Sequence, residues 1–112
     1  MAKVYFTKAI TPERVVEMYE AIVKKLEGLI SIKVHSGEKG NQNFLHPDFF
    51  PKIVFHLGGY IIECNTEYPG ALNYTNKHEE LLKEHKWNPG NNVDLMDDEP
   101  EDLILEIPDE KY

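Results

Sequence analysis

Residues 29–46 read LISIKVHSGEKGNQNFLH, an apolar stretch that ends in a polar loop. The first seven residues are rich in β-branched side chains and apolar on both faces. This pattern is typical of a parallel strand that is covered by helices on both sides. Lys33 and His35 lie two positions apart near its end, so in a strand they point to the same face. The stretch therefore predicts a buried strand with a polar loop, residues 36–46, at its carboxyl end.

The segments on either side of this strand alternate between helical and strand patterns. In chain order, the further predicted elements are a strand at 4–6, a helix from Thr11 to Gly28, a short helix from Pro47 to Gly58, a strand at 60–65, a helix from Thr75 to Trp87, and short strands at 93–96 and 103–108. Alternation of this kind predicts an α/β fold in three layers, with a mostly parallel sheet and right-handed crossovers. The length of 112 residues fits one domain spanning residues 1–112.

Composition and charge narrow the class of protein. The chain is 41% hydrophobic and 29% charged, as expected of a soluble globular domain, and no apolar run is long enough to span a bilayer. We therefore expect a cytoplasmic protein without a membrane partner. Residues 94–112 form an acidic tail, in which nine acidic residues accompany Lys111 alone. The rest of the chain is balanced in charge, so it lacks the basic footprint of a nucleic-acid-binding protein.

The two loops that follow predicted strands are the best candidates for a binding site, because ligands of parallel sheets lie beyond the carboxyl ends of the strands. They contribute amides, carboxylates and amines that could contact a ligand. The candidate ligand-binding residues are Lys33, His35, Glu38, Lys39, Asn41, Asn65 and Thr66. The loop matches neither the phosphate-loop nor the dinucleotide-binding spacing.

Each candidate also has a structural interpretation. Lys33 could form an ion pair with Glu38 or Glu63, since a charge near a buried strand normally finds a partner. Asn65 and Thr66 could simply start the following turn. His78 is expected to be an ordinary boundary histidine, and Trp87 to complete the core. Cys64 is the only cysteine, so it forms no disulfide within the chain and cannot hold a metal centre alone.

Three blocks, KVHSGEKGNQNFLHP, GGYIIECNTEYPGALNYTNKH and VDLMD, together resemble the amino-terminal part of the domain of unknown function family 362. Members of this family are much longer, carry a cysteine-rich segment downstream, and are sometimes described as iron–sulfur proteins. The resemblance implies site positions at six of the candidates, all but Thr66. Members tend to have arginine where this chain has His46 and Leu72, which implies that an anion contact at those two positions is lost.

Three functional hypotheses follow. The leading one is a truncated or incomplete member of the family that binds a small anionic ligand or a metal at the strand-end loops, without a complete active centre and with no residue assigned as a metal ligand. The second is part of an enzyme or iron–sulfur redox protein, completed by another chain or by oligomerisation, with Lys33 or His35 as acid or base. The third is an interaction module that uses the acidic tail. The residues specify neither the ligand nor a cofactor.

Overall fold

The structure is a computed structural model that describes residues 2–22, 24–89 and 92–98. The helices are α1 (Pro12–Ile22), α2 (Pro51–Leu57) and α3 (Thr75–Glu84), with 3-10 turns at Pro47–Phe49 and Met96–Asp98. The strands are β1 (Ser31–Lys33), β2 (Tyr60–Glu63) and β3 (Asp94–Leu95). Helices and strands alternate from α1 to β3, which confirms the α/β class.

The three strands form one parallel sheet in the order β1-β2-β3. In the register of the sheet, Ile32 lies opposite Ile61, and Glu63 lies opposite Leu95. Both crossovers, β1 to β2 and β2 to β3, advance across the sheet in the same direction. The predicted parallel sheet is therefore confirmed.

Burial differs sharply between the two faces of this sheet. Ile61 and Glu63 in β2 are buried, whereas their neighbour Tyr60 is exposed and Ile62 is half-buried. The exposed side chains of Lys33 and Asp94 belong to the same face as Ile62, because register partners in a parallel sheet point the same way. The buried side chains are thus concentrated on one face of the three-stranded sheet. The predicted three-layer arrangement is therefore only weakly developed.

The core lies between the buried face of the sheet and the helices. Its buried members are Val34, Phe50, Ile53, Ile61, Leu82, Trp87 and Val93. Trp87 stacks at an angle against Phe50, with ring centroids 5.5 Å apart, as expected of a core residue. Helix α1 packs against α2, and Val16 reaches the edge of the core. This packing leaves α1 at the periphery, without a fully buried side chain.

Several predicted boundaries are wrong. Residues 4–6 form no strand, and α1 ends at Ile22 instead of Gly28. Because α1 buries none of its residues, tertiary packing contributes little to lengthening it, and a short helix is marginal alone. The β1 strand is shorter than the predicted stretch and only half covered, since it lies at the edge of the sheet.

At the carboxyl end, α3 stops at Glu84, three residues before the predicted end. Lys86 has a φ of 66°, which turns the chain so that Trp87 enters the core. The strand predicted at 93–96 appears as β3, whereas the strand predicted at 103–108 and most of the acidic tail lie outside the described residues. No helix in the described part of the chain is both long and apolar enough to cross a membrane.

Candidate functional site

The two loops that follow β1 and β2 leave the same edge of the sheet, because these strands are parallel neighbours. The Tyr68 hydroxyl of the second loop donates a hydrogen bond of 2.8 Å to Glu38 Oε1 of the first. This bond raises the pKa of the Tyr68 hydroxyl, since the phenolate would lose it and face the Glu38 charge. The sequence placed both loops at one edge, and the structure has them in direct contact.

A buried carboxylate, Glu63, joins β1 to β2 at this edge. Its side chain is paired with the Lys33 ammonium, and it accepts hydrogen bonds from the backbone amides of Ser36 at 2.8 Å and Cys64 at 3.0 Å. Lys33 also donates to the Val34 carbonyl at 2.6 Å. Of the two interpretations of Lys33, the structure therefore has the ion pair, with Glu63 as the partner.

Opposing effects act on the ionisation of Glu63. Burial raises the pKa of the Glu63 carboxyl, but the Lys33 ammonium and the two amides all favour the charged form. Together they outweigh burial, so the pKa lies below its usual value of 4.5. The carboxylate is therefore charged at neutral pH although its side chain is almost fully buried.

A chain of hydrogen bonds runs from Ser36 through the interior to the end of β3. The Ser36 Oγ and His78 Nε2 atoms lie 3.4 Å apart, and His78 Nδ1 lies 3.0 Å from Asn65 Oδ1. The Asn65 amide donates in turn to Thr75 Oγ1 at 2.9 Å, and the Thr75 hydroxyl donates to the Asp97 carbonyl at 3.3 Å. These bonds give His78 a proton on Nδ1 and leave Nε2 free to accept from Ser36.

Burial lowers the pKa of the His78 imidazole, and the nearby Glu63 carboxylate opposes this effect only in part. His78 is therefore neutral at pH 7. A hydroxyl, a neutral imidazole and an orienting amide in this order are the parts of a nucleophilic site. However, Ser36 is 1% exposed, and the five cavities described among these residues are lined by other side chains. As it stands, the chain of bonds holds the two loops together.

Three of the candidate ligand-binding residues already make hydrogen bonds within the protein. Asn41 accepts a hydrogen bond from the Asn43 amide at 2.8 Å, which forms a tight turn within the first loop. The Thr66 amide donates to the Leu72 carbonyl at 2.9 Å, and its hydroxyl to the Tyr68 carbonyl at 3.3 Å. With Asn65 in the chain of bonds described above, these amide and hydroxyl groups are committed to the loops.

His35 and Lys39 are the candidates with exposed side chains that make no hydrogen bond within the described residues. Lys39 lines a cleft of about 400 Å³ that lies between the two loops and α3. The cleft is lined by Lys39, Gly70, Ala71, Lys77, Glu80, Leu81 and Glu84. We call it the loop cleft. It presents two ammonium groups and two carboxylates around a small apolar floor.

Sequence reasoning missed Ser36, named Glu63 only as one of two possible ion-pair partners of Lys33, and took His78 for a boundary residue. The choice of Glu63 could have been predicted, because a carboxylate that ends an otherwise apolar strand, YIIE, requires a buried partner. His78 gives no such signal, since it lies 13 residues from Asn65 and 42 from Ser36. Its role follows only from the way α3 packs on the sheet.

Comparison with known proteins adds no relative: no family model, curated protein or solved structure matches the chain. Within the described ranges, no group of three histidine, cysteine, aspartate or glutamate side chains is arranged to hold a metal ion. Cys64 is a free, half-buried thiol. The geometry of the strand-end loops is thus the basis for a functional proposal.

Proposed function

We propose that the chain is a ligand-binding α/β domain that takes a small anionic ligand in the loop cleft. Such a role fits the resemblance to the domain of unknown function family 362. The observation that carries the proposal is a cleft at the carboxyl edge of a parallel sheet, between two strand-end loops, with Lys39 and Lys77 on its wall. Of the predicted ligand contacts, Lys39 is the one that lines the loop cleft, where Lys77 from α3 joins it.

The charges of the loop cleft set limits on the ligand. Glu80 and Glu84 lie on the same wall as the two lysines, so the cleft favours a small anion held close to the ammonium groups over a large, highly charged one. Lys77 also lies over the Tyr74 ring, 4.9 Å from its centroid, which directs the ammonium group. Binding between exposed charges is screened by salt, so affinity should fall as ionic strength rises.

Titration of the ¹⁵N-labelled chain with inorganic phosphate, and separately with acetate, is expected to shift the amide signals of Lys39, Gly70 and Lys77. The double variant Lys39→Gln/Lys77→Gln should bind roughly tenfold more weakly, because each exposed ammonium contributes about 0.7 kcal/mol, within the range for exposed ion pairs. Glu84→Gln should instead strengthen binding, since it removes a negative charge from the cleft wall.

The matched control is Lys3→Gln/Lys24→Gln, which removes two exposed lysines that do not line the loop cleft. It should bind as the wild type does. The proposal fails if neither anion shifts amides in residues 35–43 or 65–77. It fails equally if both double variants weaken binding by the same factor, because net charge alone would then account for the affinity.

A second candidate is favoured by the arrangement of Ser36, His78 and Asn65: part of an enzyme that another chain completes. In it, Ser36 Oγ would attack an electrophile while His78 Nε2 takes the hydroxyl proton, once a partner uncovers the serine. An iron–sulfur centre in such an assembly would need thiolates from the other chain, because Cys64 is the only cysteine of this one.

A fluorophosphonate probe tests this second candidate on the chain alone. Reaction would form an Oγ–P bond, release fluoride and pass the hydroxyl proton to His78. If this second candidate is correct, the probe labels Ser36, and the label disappears in Ser36→Ala. In His78→Gln the rate of labelling should fall at least tenfold, because general-base catalysis contributes roughly 10²-fold or more. If the wild type is not labelled, either in buffer or after mild urea has loosened the loops, the second candidate function is wrong.

A further inference from the structure

The outer edge of β1 carries backbone groups without a partner strand. The Ile30 carbonyl accepts a hydrogen bond from the Tyr60 amide at 3.0 Å, and the Val34 amide donates to the Ile62 carbonyl at 3.2 Å. Residues of a parallel strand face the neighbouring strand alternately, so Ser31 and Lys33 direct their amides and carbonyls away from β2. Among the described residues, no strand pairs with this edge.

An unpaired edge is a template for another strand, and proteins normally cover it. The β1 edge is short, and it is not blocked by proline or by a bulge. Its polar groups therefore remain able to accept one additional strand of about three residues.

The segment Val4–Phe6 consists of strand-forming residues but belongs to no strand of the described structure, and Tyr5 is its one partly covered side chain, at 44% exposure. Val4 is 90% exposed and Phe6 is 81% exposed, and the nearby side-chain hydrogen bonds are those of a local turn between Thr7 and Ala9. Valine, tyrosine and phenylalanine are all enriched in strands. Two large apolar side chains held in water by an ordered chain are costly, so the segment is suited to pairing with a sheet edge.

The order of elements matches the segment to the β1 edge. Val4–Phe6 precedes α1, which packs beside α2, just as α2 precedes β2. A strand that enters α1 in this way would lie parallel to β1 on its free side. In this chain, however, the segment leaves its own β1 edge empty.

We infer that the Val4–Phe6 segment of one copy adds to the β1 edge of a second copy, so that two copies exchange their amino-terminal strands. In such an exchange, each Val4–Phe6 segment makes with the second copy the same contacts that it could make with its own chain. The free β1 edges of both copies are then paired at the same time. The resulting dimer has four parallel strands in each sheet. It uses the sheet edge and not the loop cleft, so it is independent of the proposed ligand site.

Light scattering coupled to size-exclusion chromatography tests the exchange on the full chain. The wild type should elute at twice the monomer mass. Val4→Lys/Phe6→Lys should elute as a folded monomer, because both side chains are exposed in the single chain and their replacement leaves the core intact. The matched control is Phe55→Lys on α2, where an equally exposed phenylalanine, 89% accessible, lies away from the segment.

Amide hydrogen–deuterium measurements distinguish the strand-exchanged dimer from other dimers. The amides of Ser31 and Lys33 should be protected in the wild type, and at least tenfold less protected in Val4→Lys/Phe6→Lys. A monomeric wild type overturns the proposal, and protected Ser31 and Lys33 amides in that monomer would show that the segment pairs within its own chain. A dimer that survives in the double variant, or is lost in Phe55→Lys, also overturns it.

Discussion

Replacing Glu63 by alanine is expected to lower the free energy of unfolding by about 2–4 kcal/mol, because a buried amide left without an acceptor costs about 1–3 kcal/mol and the loss of an ion pair with a half-exposed partner adds up to about 1 kcal/mol. The change leaves the buried amide of Ser36 and the part-buried amide of Cys64 without their acceptor, and the Lys33 ammonium without its counter-ion. Small domains are stable by roughly 5–15 kcal/mol, so this single change would remove a large share of the total.

The reverse change, Lys33→Met, should also destabilise the domain, because it leaves the buried Glu63 carboxylate without its counter-ion, although Glu63 would keep both amide donors. Glu63→Gln should cost less than Glu63→Ala, since one amide oxygen can still accept. Urea unfolding followed by far-ultraviolet circular dichroism at pH 7 measures all three. The matched control is Glu38→Ala, which loses an exposed bond to Tyr68 and should cost less than about 1 kcal/mol. Equal losses for Glu63→Ala and Glu38→Ala would contradict the buried role of Glu63.

The fold class was accessible from the sequence because the relevant signals are local. LISIKVH and YIIECN are short β-branched runs separated by a proline-initiated helix, and this spacing favours a βαβ unit. Once the sheet is parallel, the position of both loops at one edge follows from geometry alone. The burial of Trp87 was also predictable, because a large aromatic side chain without a basic stripe usually completes a core.

The errors arise where distant parts of the chain decide the outcome. Nothing local to residues 4–6 shows that their sheet edge is left empty, and local periodicity in α1 does not show that the helix lies at the periphery. The same applies to the candidate site. Ser36 and His78 are 42 residues apart, and their contact depends on α3 meeting the loop that follows β1. Amides and hydroxyls such as Asn41 and Thr66 look like ligand contacts in a sequence, but here they hold their own turns.

The buried His78 makes stability depend on pH in a defined direction. Its pKa is lowered by burial from an ordinary value of 6.5, so the unfolded chain takes up a proton at a higher pH than the folded chain does. Stabilisation by neutral His78 is therefore complete above about pH 6.5 and is lost as the pH falls below it. The groups around the ring are Glu63, Lys33, Asp97 and Glu38, and none reverses the direction of the shift.

Glu63 adds a second loss at lower pH. Its pKa is lowered from 4.5, so its stabilising effect is present above that value and is lost as the pH falls through the depressed pKa of the folded state. Acid should therefore weaken the domain in two steps. His78 contributes to the first, below pH 6.5, and Glu63 contributes to the second, below pH 4.5.

Urea midpoints between pH 7.5 and 5.5 measure the first step. The wild type is expected to lose up to about 1.4 kcal/mol per pH unit in this window through His78, the limit for one proton. His78→Gln should be less stable than the wild type at pH 7.5 but should lose less on acidification, because the buried imidazole is gone. His35→Gln is the control, since the exposed His35 side chain makes no hydrogen bond within the described residues. If His78→Gln does not fold, the ring signals of His78 in the wild type provide the same test. A ring that protonates at or above pH 6.5 in the folded chain would contradict the role assigned to its burial.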